Sequence, residues 1–231
     1  MRIKVYQIDD KKDTNNLKFR CFGETVRNGK IDASIYKCIF HGDVDAETLE
    51  DVFGLLNSAE LPRTYQGHSL SVSDIVEITG ETPAYHFCDS IGWKNIDFSA
   101  NECASMDGIR VLMIEPGRSP VETRVIDDYT QWQRAVSDHG EPSLMEVTYP
   151  FEDSALVVGN EEAKLIGMKG NRRIGSSIYA GPIFIVNDDG KGNFCDLTEE
   201  QLSFYSKMFE HPEDICEDEV QADCGFEIIM W

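Results

Sequence analysis

The sequence lacks the features that assign a function most directly. Its 231 residues contain no paired CxxC cysteines and no catalytic motif or phosphate-binding glycine loop that we can identify. No stretch approaches the roughly 18 consecutive apolar residues of a membrane-spanning helix, and the first residues hold no apolar segment of signal-peptide length. We therefore expect a cytoplasmic protein, whose activity has to be inferred from other features.

Cysteine pairs and metal-binding patterns are missing as well. The seven cysteines are odd in number and widely spaced, whereas disulfide frameworks use even numbers at regular spacings. Reduced thiols are therefore expected, as in the cytosol.

The segment 187–198 has a Lys191 where a calcium loop needs a ligand oxygen, so a hairpin turn is the better interpretation. No structural zinc spacing is matched by the candidate ligands Cys195, His211, Cys216 and Cys224. We expect no metal and no cofactor.

Basic residues are few. Twenty-one Lys and Arg residues oppose 42 Asp and Glu residues, which gives a net charge of −21. Such a charge repels nucleic acid and anionic membranes and favours basic protein partners. Division after residue 104 gives −6 for the first part (11 basic, 17 acidic) and −15 for the second (10 basic, 25 acidic). The acidity therefore belongs mainly to the second half.

The densest acidic stretch runs from Glu210 to Glu227, with eight acidic residues and no Lys or Arg. One interpretation is a solvated tail. The other is a surface that offers carboxylates to the basic groove of a nucleic-acid-binding protein. The residues predicted to form this partner-binding surface are Glu161, Glu162, Glu210, Glu213, Asp214, Glu217, Asp218, Glu219 and Asp223. Arg172 and Arg173 predict a local ion-pair site with acidic residues, or alternatively a contact for a small anion.

Short strands and few helices are predicted along the chain. Alternating or β-branched stretches predict strands at 3–8, 17–22, 34–40, 75–78, 84–89, 109–114, 121–126, 144–149, 155–158, 164–168, 183–186 and 226–231. Helices are predicted at 45–56, with Asp45 as N-cap, at 127–136, and from a Thr198–Gln201 capping box to about 210. The pattern predicts an α+β fold of two small domains, each a mainly antiparallel sheet with one or two helices. We place them at 1–104 and 105–231, with the boundary in the polar stretch 99–107.

One polar, small-residue segment directly precedes the predicted strand at 75–78. Its short side chains are expected to bond neighbouring backbone amides and fix a turn. The segment also fits a helix capping box, but the β-branched residues that follow favour a strand. This structural motif consists of Gly67, His68, Ser69, Ser71, Ser73 and Asp74. Asp74 is expected to accept hydrogen bonds from the turn amides, which is a structural rather than a catalytic role.

A resemblance to two families lies in specific segments. Tyr6-Gln7-Ile8, the run from Tyr65 to Val76 and Gly92-Trp93 resemble a YodL-like domain. Residues 108–212 resemble the domain of unknown function numbered 3846, through segments such as Asn160-Glu161-Glu162-Ala163-Lys164-Leu165 and Gly181-Pro182-Ile183. The second family usually has Gly where this chain has Ala163, so that turn is not expected to need a positive φ here. The resemblance supplies no catalytic residue set, and it implies a protein of phages, plasmids or conjugative elements of Firmicutes, often encoded beside antirestriction genes.

Three classes of function stay open. The first is a non-enzymatic mobile-element protein, an anti-CRISPR or antirestriction inhibitor that mimics DNA and binds a host nucleic-acid-handling protein or ribonucleoprotein without binding nucleic acid itself. The second is a small enzyme that uses His68, His86 or Cys88, since His86 and Cys88 share a strand face and a thiol with a nearby base can act as a nucleophile. The third is a regulatory module that binds a small ligand. Charge and resemblance together favour the first.

Overall fold

The computed structural model describes residues 1–26, 30–138 and 141–224. The chain divides between Asp107 and Gly108 into two compact units, called unit 1 and unit 2 below. No helix among the described residues is long and apolar enough to cross a membrane. Both units are built on antiparallel sheets with short helices, which confirms the predicted α+β class.

Unit 1 contains one antiparallel sheet with the strand order β2-β1-β3-β4-β5. Its described strands are β1 Arg2–Ile8, β2 Tyr36–Asp43, β3 Ile75–Ile78, β4 Ala84–Cys88 and β5 Trp93–Ile96. Its α-helices within the described residues are α1 Phe22–Thr25 and α2 Leu49–Leu55. Short 3₁₀ turns lie at Ala33–Ile35 and Ala100–Glu102.

The alternation of β1 sends side chains to two separate cores. Ile3 and Val5 pack in one apolar cluster with Val52 of α2, whereas Tyr6 and Ile8 join the cluster on the other face. Helix α2 begins later than predicted: Thr48 is the N-cap, and it forms a capping box with the side chain of Asp51. The predicted N-cap, Asp45, is wrong because the Thr48–Asp51 pair satisfies the first amides three residues further on.

The predicted strand at 17–22 does not form. The Asp13 carboxylate accepts hydrogen bonds from the backbone N–H groups of Leu17 and Lys18, at 2.8 and 3.0 Å. Phe19 has a φ of 66°, which is incompatible with a strand, and the helix α1 starts at Phe22. The amides that would have formed a ladder are thus capped by the side chain of a residue four to five positions earlier, an arrangement that apolar periodicity does not detect.

The predicted boundary segment 99–107 is attached to unit 1. Ala104 donates its N–H to the carbonyl oxygen of Tyr36 at 3.0 Å and accepts from the N–H of Cys38 at 2.8 Å. The Gln66 side chain bonds both the N–H and the carbonyl of Asp107, at 3.0 and 2.9 Å. This stretch therefore completes unit 1 and is not a free linker.

Unit 2 contains a larger antiparallel sheet, a separate hairpin and three α-helices among its described residues. The sheet has the order β7-β6-β12-β9-β8, with β13 paired to β12. Its strands are β6 Ile109–Ile114, β7 Val121–Val125, β8 Met145–Thr148, β9 Ala155–Asn160, β12 Ile183–Asp188 and β13 Phe194–Cys195. The hairpin and the helices are β10 Gly170–Ile174 with β11 Ser177–Ala180, and α3 Tyr129–Ala135, α4 Glu199–Met208 and α5 Glu217–Asp223.

The three central strands of this sheet are buried on both faces. Successive residues of β6, such as Val111 and Leu112, belong to two different apolar clusters. Trp132 of α3 packs in the first cluster and Leu202 of α4 in the second. Because both faces are covered by a helix, these strands carry nearly continuous apolar runs, which is why periodicity located them correctly.

Unit 2 departs from the predictions outside its main sheet. The predicted strand at 164–168 is a turn, in which Met168 donates its N–H to the carbonyl of Ala163 at 2.9 Å. The β10–β11 hairpin was not predicted, because its polar sequence shows no clear alternation. The described residues of unit 2 also form three α-helices where one or two were expected. Ala163 does not have a positive φ, as predicted, and the strand predicted at 226–231 lies outside the described residues.

The attachment of the segment 99–107 predicts a stability difference between two fragments. Fragment 1–107 should unfold cooperatively, whereas fragment 1–98 loses the hydrogen bonds to Tyr36, Cys38 and Gln66. At roughly 1 kcal/mol for each of these four net hydrogen bonds, the shorter fragment should be less stable by about 4 kcal/mol. Urea denaturation followed by Trp93 fluorescence measures the difference. Equal stabilities would contradict this role of the segment.

Candidate functional site

The motif segment of unit 1 forms a polar cluster around the fully buried Asp74. One carboxylate oxygen of Asp74, Oδ2, accepts the N–H of Ser71 at 2.8 Å and the side-chain amide of Gln7 at 3.0 Å. The other oxygen, Oδ1, is buried and has no hydrogen-bond partner. Asp74 therefore bonds a turn amide, as expected from the sequence. Its second partner, Gln7 of β1, was not predicted.

Gln7 attaches the whole loop to the sheet. Its Nε2 also donates to the carbonyl of His68 at 2.8 Å, and its Oε1 accepts the N–H of His68 at 3.1 Å. A Cβ atom on Gly67 would lie 2.3 Å from Oε1 of Gln7. Any side chain at 67 would therefore displace the Gln7 amide and disturb its hydrogen bonds to His68 and Asp74. The sequence signal for Gln7 was its position among apolar residues on one face of β1.

Burial controls the charge state of this cluster. It raises the pKa of Asp74 to about 8, against the opposing effects of the Ser71 and Gln7 hydrogen bonds and of Lys18. Burial also lowers the pKa of His68. Nδ1 of His68 lies 2.7 Å from the carbonyl oxygen of Ser69 and 3.9 Å from Oδ2 of Asp74. Both groups are therefore mainly neutral at pH 7, and the pair is not an ion pair.

Two residues beside the cluster have left-handed backbone conformations. Ser73 has a φ of 79° and Phe19 a φ of 66°. Oγ of Ser73 accepts the N–H of Phe19 at 2.9 Å, and the carbonyl of Ser73 accepts the hydroxyl of Tyr36 at 3.0 Å. The Phe19 ring lies 5.2 Å from that of His68. Ser73 thus joins three segments of unit 1, which accounts for the short polar side chain in the motif.

The thiol–histidine alternative is poorly matched by the burial of Cys88. Cys88 is buried, and burial raises its pKa to about 12, so that the thiolate required of a nucleophile is scarce at neutral pH. Its backbone bonds the motif: Cys88 donates its N–H to Asp74 and accepts the N–H of Ser73, at 2.8 and 3.0 Å. His86 is half-buried with a lowered pKa. These are the properties of interior strand residues.

Metal binding is not indicated by the ligand chemistry. In the turn between β12 and β13, Asp189 accepts the backbone N–H groups of Lys191 and Asn193, at 2.8 and 3.1 Å. That carboxylate is occupied by the turn, in agreement with a hairpin rather than a calcium loop. Within the residues that the structure describes, no group of three or more His, Cys, Asp or Glu side chains has metal-binding geometry.

The second candidate site is the acidic surface of unit 2. Helix α5 packs on the β10–β11 hairpin and on the turn at 161–167, through a small apolar cluster that includes Ala163, Ile215 and Val220. Nζ of Lys164 lies 2.5 Å from a carboxylate oxygen of Asp223, and the side chain of Gln221 donates to the carbonyl of Lys164 at 3.3 Å. The fold thus brings together two acidic segments that lie some 50 residues apart in the sequence.

Three of the nine predicted partner-binding carboxylates form ion pairs within unit 2. Arg173 contacts Glu213 at 2.9 Å and Glu219 at 2.6 Å, and Lys164 contacts Asp223. These three pairs hold the acidic segment on the fold, so it is not simply a solvated tail. The six carboxylates that are exposed, with no ion pair in the described part of the chain, are Glu161, Glu162, Glu210, Asp214, Glu217 and Asp218.

The two adjacent arginines have different roles. Arg173 forms the predicted ion pairs, but Arg172 is almost fully buried. Its guanidinium donates to the backbone carbonyls of Asn171, Arg118 and Phe209, at 2.9, 2.8 and 3.1 Å. Arg172 therefore ties three segments of unit 2 together, and the predicted ion-pair role is wrong for this residue.

The architecture is that of an α+β protein with two antiparallel-sheet domains, a buried polar loop in the first and an acidic helix in the second. The family model of the YodL-like domain matches residues 2–98, and that of a domain of unknown function (DUF3846) matches residues 109–210. Together the two matches cover most of the chain, in the order that the sequence resemblance predicted. No curated protein and no solved structure matches it. The acidic helix α5 lies beyond the second matched region.

The raised pKa of Asp74 predicts that its contribution to stability depends on pH. The folded protein holds a proton on Asp74 up to about pH 8, whereas the unfolded chain loses it near pH 4. The contribution is therefore complete below pH 4 and is lost progressively as pH rises to 8. Asp74→Asn keeps an acceptor for Ser71 and cannot ionise, so the fall in unfolding free energy between pH 5 and 8 should be smaller by about 1 kcal/mol per pH unit.

Asp74→Ala provides the matched comparison for this test. It removes the acceptor as well as the ionisable group and should cost about 1–3 kcal/mol at pH 5, where wild type and Asp74→Asn should be similar. Urea unfolding at several pH values measures all three proteins. Parallel pH profiles for wild type and Asp74→Asn would show that Asp74 does not carry this dependence.

Proposed function

We propose that this protein is a non-enzymatic anti-defence factor of a mobile genetic element. In this proposal it binds a host complex that handles nucleic acid, such as a CRISPR effector or a restriction enzyme, and occupies its basic groove with the acidic surface of unit 2. The observation that carries the proposal is the packing of α5 against the turn at 161–167, which joins two acidic segments in one surface.

The free carboxylates of this surface support electrostatic mimicry. Glu161 and Glu162 extend from the turn at 161–167. Glu217 and Asp218 extend from the start of α5, and Asp214 lies in the segment directly before that helix. The bound Arg173 and Lys164 fix this segment without neutralising these five side chains. Grooves that bind nucleic acid present Lys and Arg to a line of negative charges, and a fixed acidic surface offers a similar line at little cost in chain entropy.

The mobile-element part of the proposal rests on the family resemblance and not on geometry. Domains similar to these two occur in proteins of phages, plasmids and conjugative elements, often encoded beside antirestriction genes. Net charge alone does not distinguish an inhibitor from any other acidic protein, and the resemblance alone names no target. Their combination favours a host defence complex as the partner. The enzymatic alternative gains no support from Cys88, whose pKa is raised by burial.

The proposal predicts a partner with a basic nucleic-acid groove. The tagged full chain would be used to capture proteins from a host lysate, and the captured complex would be challenged with DNA or guide RNA. Nucleic acid should displace the protein, and binding should weaken steeply between about 0.05 and 0.5 M salt, as the Debye length falls to roughly 4–5 Å. Capture only of partners without a basic groove, or binding unaffected by salt, would exclude mimicry.

A charge-reversal series tests which carboxylates bind. Glu161→Lys with Glu162→Lys, and Glu210→Lys with Asp214→Lys, should each reduce affinity roughly ten-fold or more without changing the unfolding midpoint, since exposed carboxylates contribute little to folding. The control Glu60→Lys with Glu81→Lys changes the net charge equally at exposed sites of unit 1 and should have a much smaller effect. An equal loss in the control would show that net charge, rather than this surface, determines binding.

A further inference from the structure

The outer face of helix α4 combines apolar and charged side chains in an unusual way. Its inner face packs Leu202, Tyr205 and Phe209 against the sheet. Its outer face nevertheless exposes Phe204 at 58% and Met208 at 53%, one helical turn apart. These two side chains line a shallow concavity of about 850 Å³ together with Glu199, Glu200, Ser203 and Lys207. A solvent-facing helix surface normally carries polar residues at such positions.

Two opposite charges flank Phe204 on this face. Glu200 and Lys207 lie seven residues apart, two turns or roughly 10 Å along the helix, and both are exposed with no ion pair among the described residues. The midpoint between them falls between Ser203 and Phe204. Glu199, by contrast, is already paired with Arg110 at 2.5 Å. The face therefore has a free negative charge one turn before Phe204 and a free positive charge one turn after it, beside Met208.

We propose that this face binds the same face of a second copy of the chain, with the two α4 helices antiparallel. In a two-fold arrangement Glu200 of each copy meets Lys207 of the other, and the two Phe204 side chains lie near the axis, where they fill the concavities. A two-fold interface must be complementary to itself. Glu200 lies four residues before Phe204 and Lys207 three residues after it, so a two-fold axis close to Phe204 pairs the opposite charges of the two copies and meets this requirement. This charge complementarity favours a second copy as the occupant.

The size of the surface predicts a reversible dimer rather than an obligate one. One exposed helix face buries less than the roughly 1,200 Å² of a stable interface, and the net charge of −21 on each copy opposes association. Salt screens this repulsion and leaves the apolar contact intact, so moderate salt should favour the dimer. Binding of a host partner by the acidic surface is instead expected to weaken with salt. The dimer and the proposed function can therefore be confirmed or contradicted separately.

Sedimentation equilibrium of the full chain over a range of concentrations tests the proposal. Wild type should show a concentration-dependent monomer–dimer equilibrium at about 0.15 M salt. Phe204→Ser with Met208→Ser should weaken it at least about ten-fold, because the apolar centre is lost. Glu200→Lys should also weaken it, since it places like charges together at both symmetric contacts. Circular dichroism should show that each variant remains folded, as expected for exposed positions.

The charge swap provides the decisive comparison. Glu200→Lys combined with Lys207→Glu restores opposite charges at both contacts and should recover wild-type dimerisation, at unchanged net charge. Glu81→Lys, an exposed change in unit 1, controls for net charge and should not weaken the dimer. A wild type that stays monomeric, or a double swap no better than Glu200→Lys alone, would overturn the proposal. If a monomeric chain bound a basic amphipathic peptide at Phe204, the face would belong to a different partner.

Discussion

Each unit depends on a buried polar side chain that satisfies backbone groups distant in sequence. In unit 1 the amide of Gln7 holds the loop that contains His68 and Asp74, and in unit 2 the guanidinium of Arg172 holds three carbonyls. Burial of an unpaired polar group costs several kcal/mol, so each of these side chains is compatible with one arrangement of its segments. The apolar clusters determine that the chain collapses, and these hydrogen bonds determine where its loops lie.

The unusual net charge has a specific structural outcome. Most of the excess acidity lies in unit 2, where Arg173 and Lys164 bind only some of the carboxylates around α5. The ion pairs fix the position of the helix, and the free carboxylates keep its outer surface negative. Their combined repulsion destabilises the compact state to some extent. Free carboxylates that repel one another and do not contribute to folding are more readily explained by binding than by stability.

The two surfaces proposed for unit 2 have different physical character. The surface around α5 is polar and would act over the range of the Debye length, which gives selectivity and fast association. The face of α4 around Phe204 is apolar at its centre and acts only on contact. Phe209, the C-cap of α4, separates Met208 from the acidic segment that begins at Glu210, so the two surfaces are adjacent in the chain. A dimer through α4 would carry two acidic surfaces, and two linked sites bind more tightly than one when the target can engage both.

Composition and local pattern alone determined the α+β class, the helix capped by Thr198 and the central strands of both sheets. Burial leaves alternating or continuous apolar runs, and caps leave local residue pairs. Asp74 was also predicted as a turn acceptor, since its bond to Ser71 is local. Only the tertiary structure decided that Gln7 is its second partner and that α5 joins the acidic turn of unit 2. Those contacts connect residues far apart in sequence, and side-chain hydrogen bonds and ion pairs between distant segments leave no periodicity in the chain from which they could be predicted.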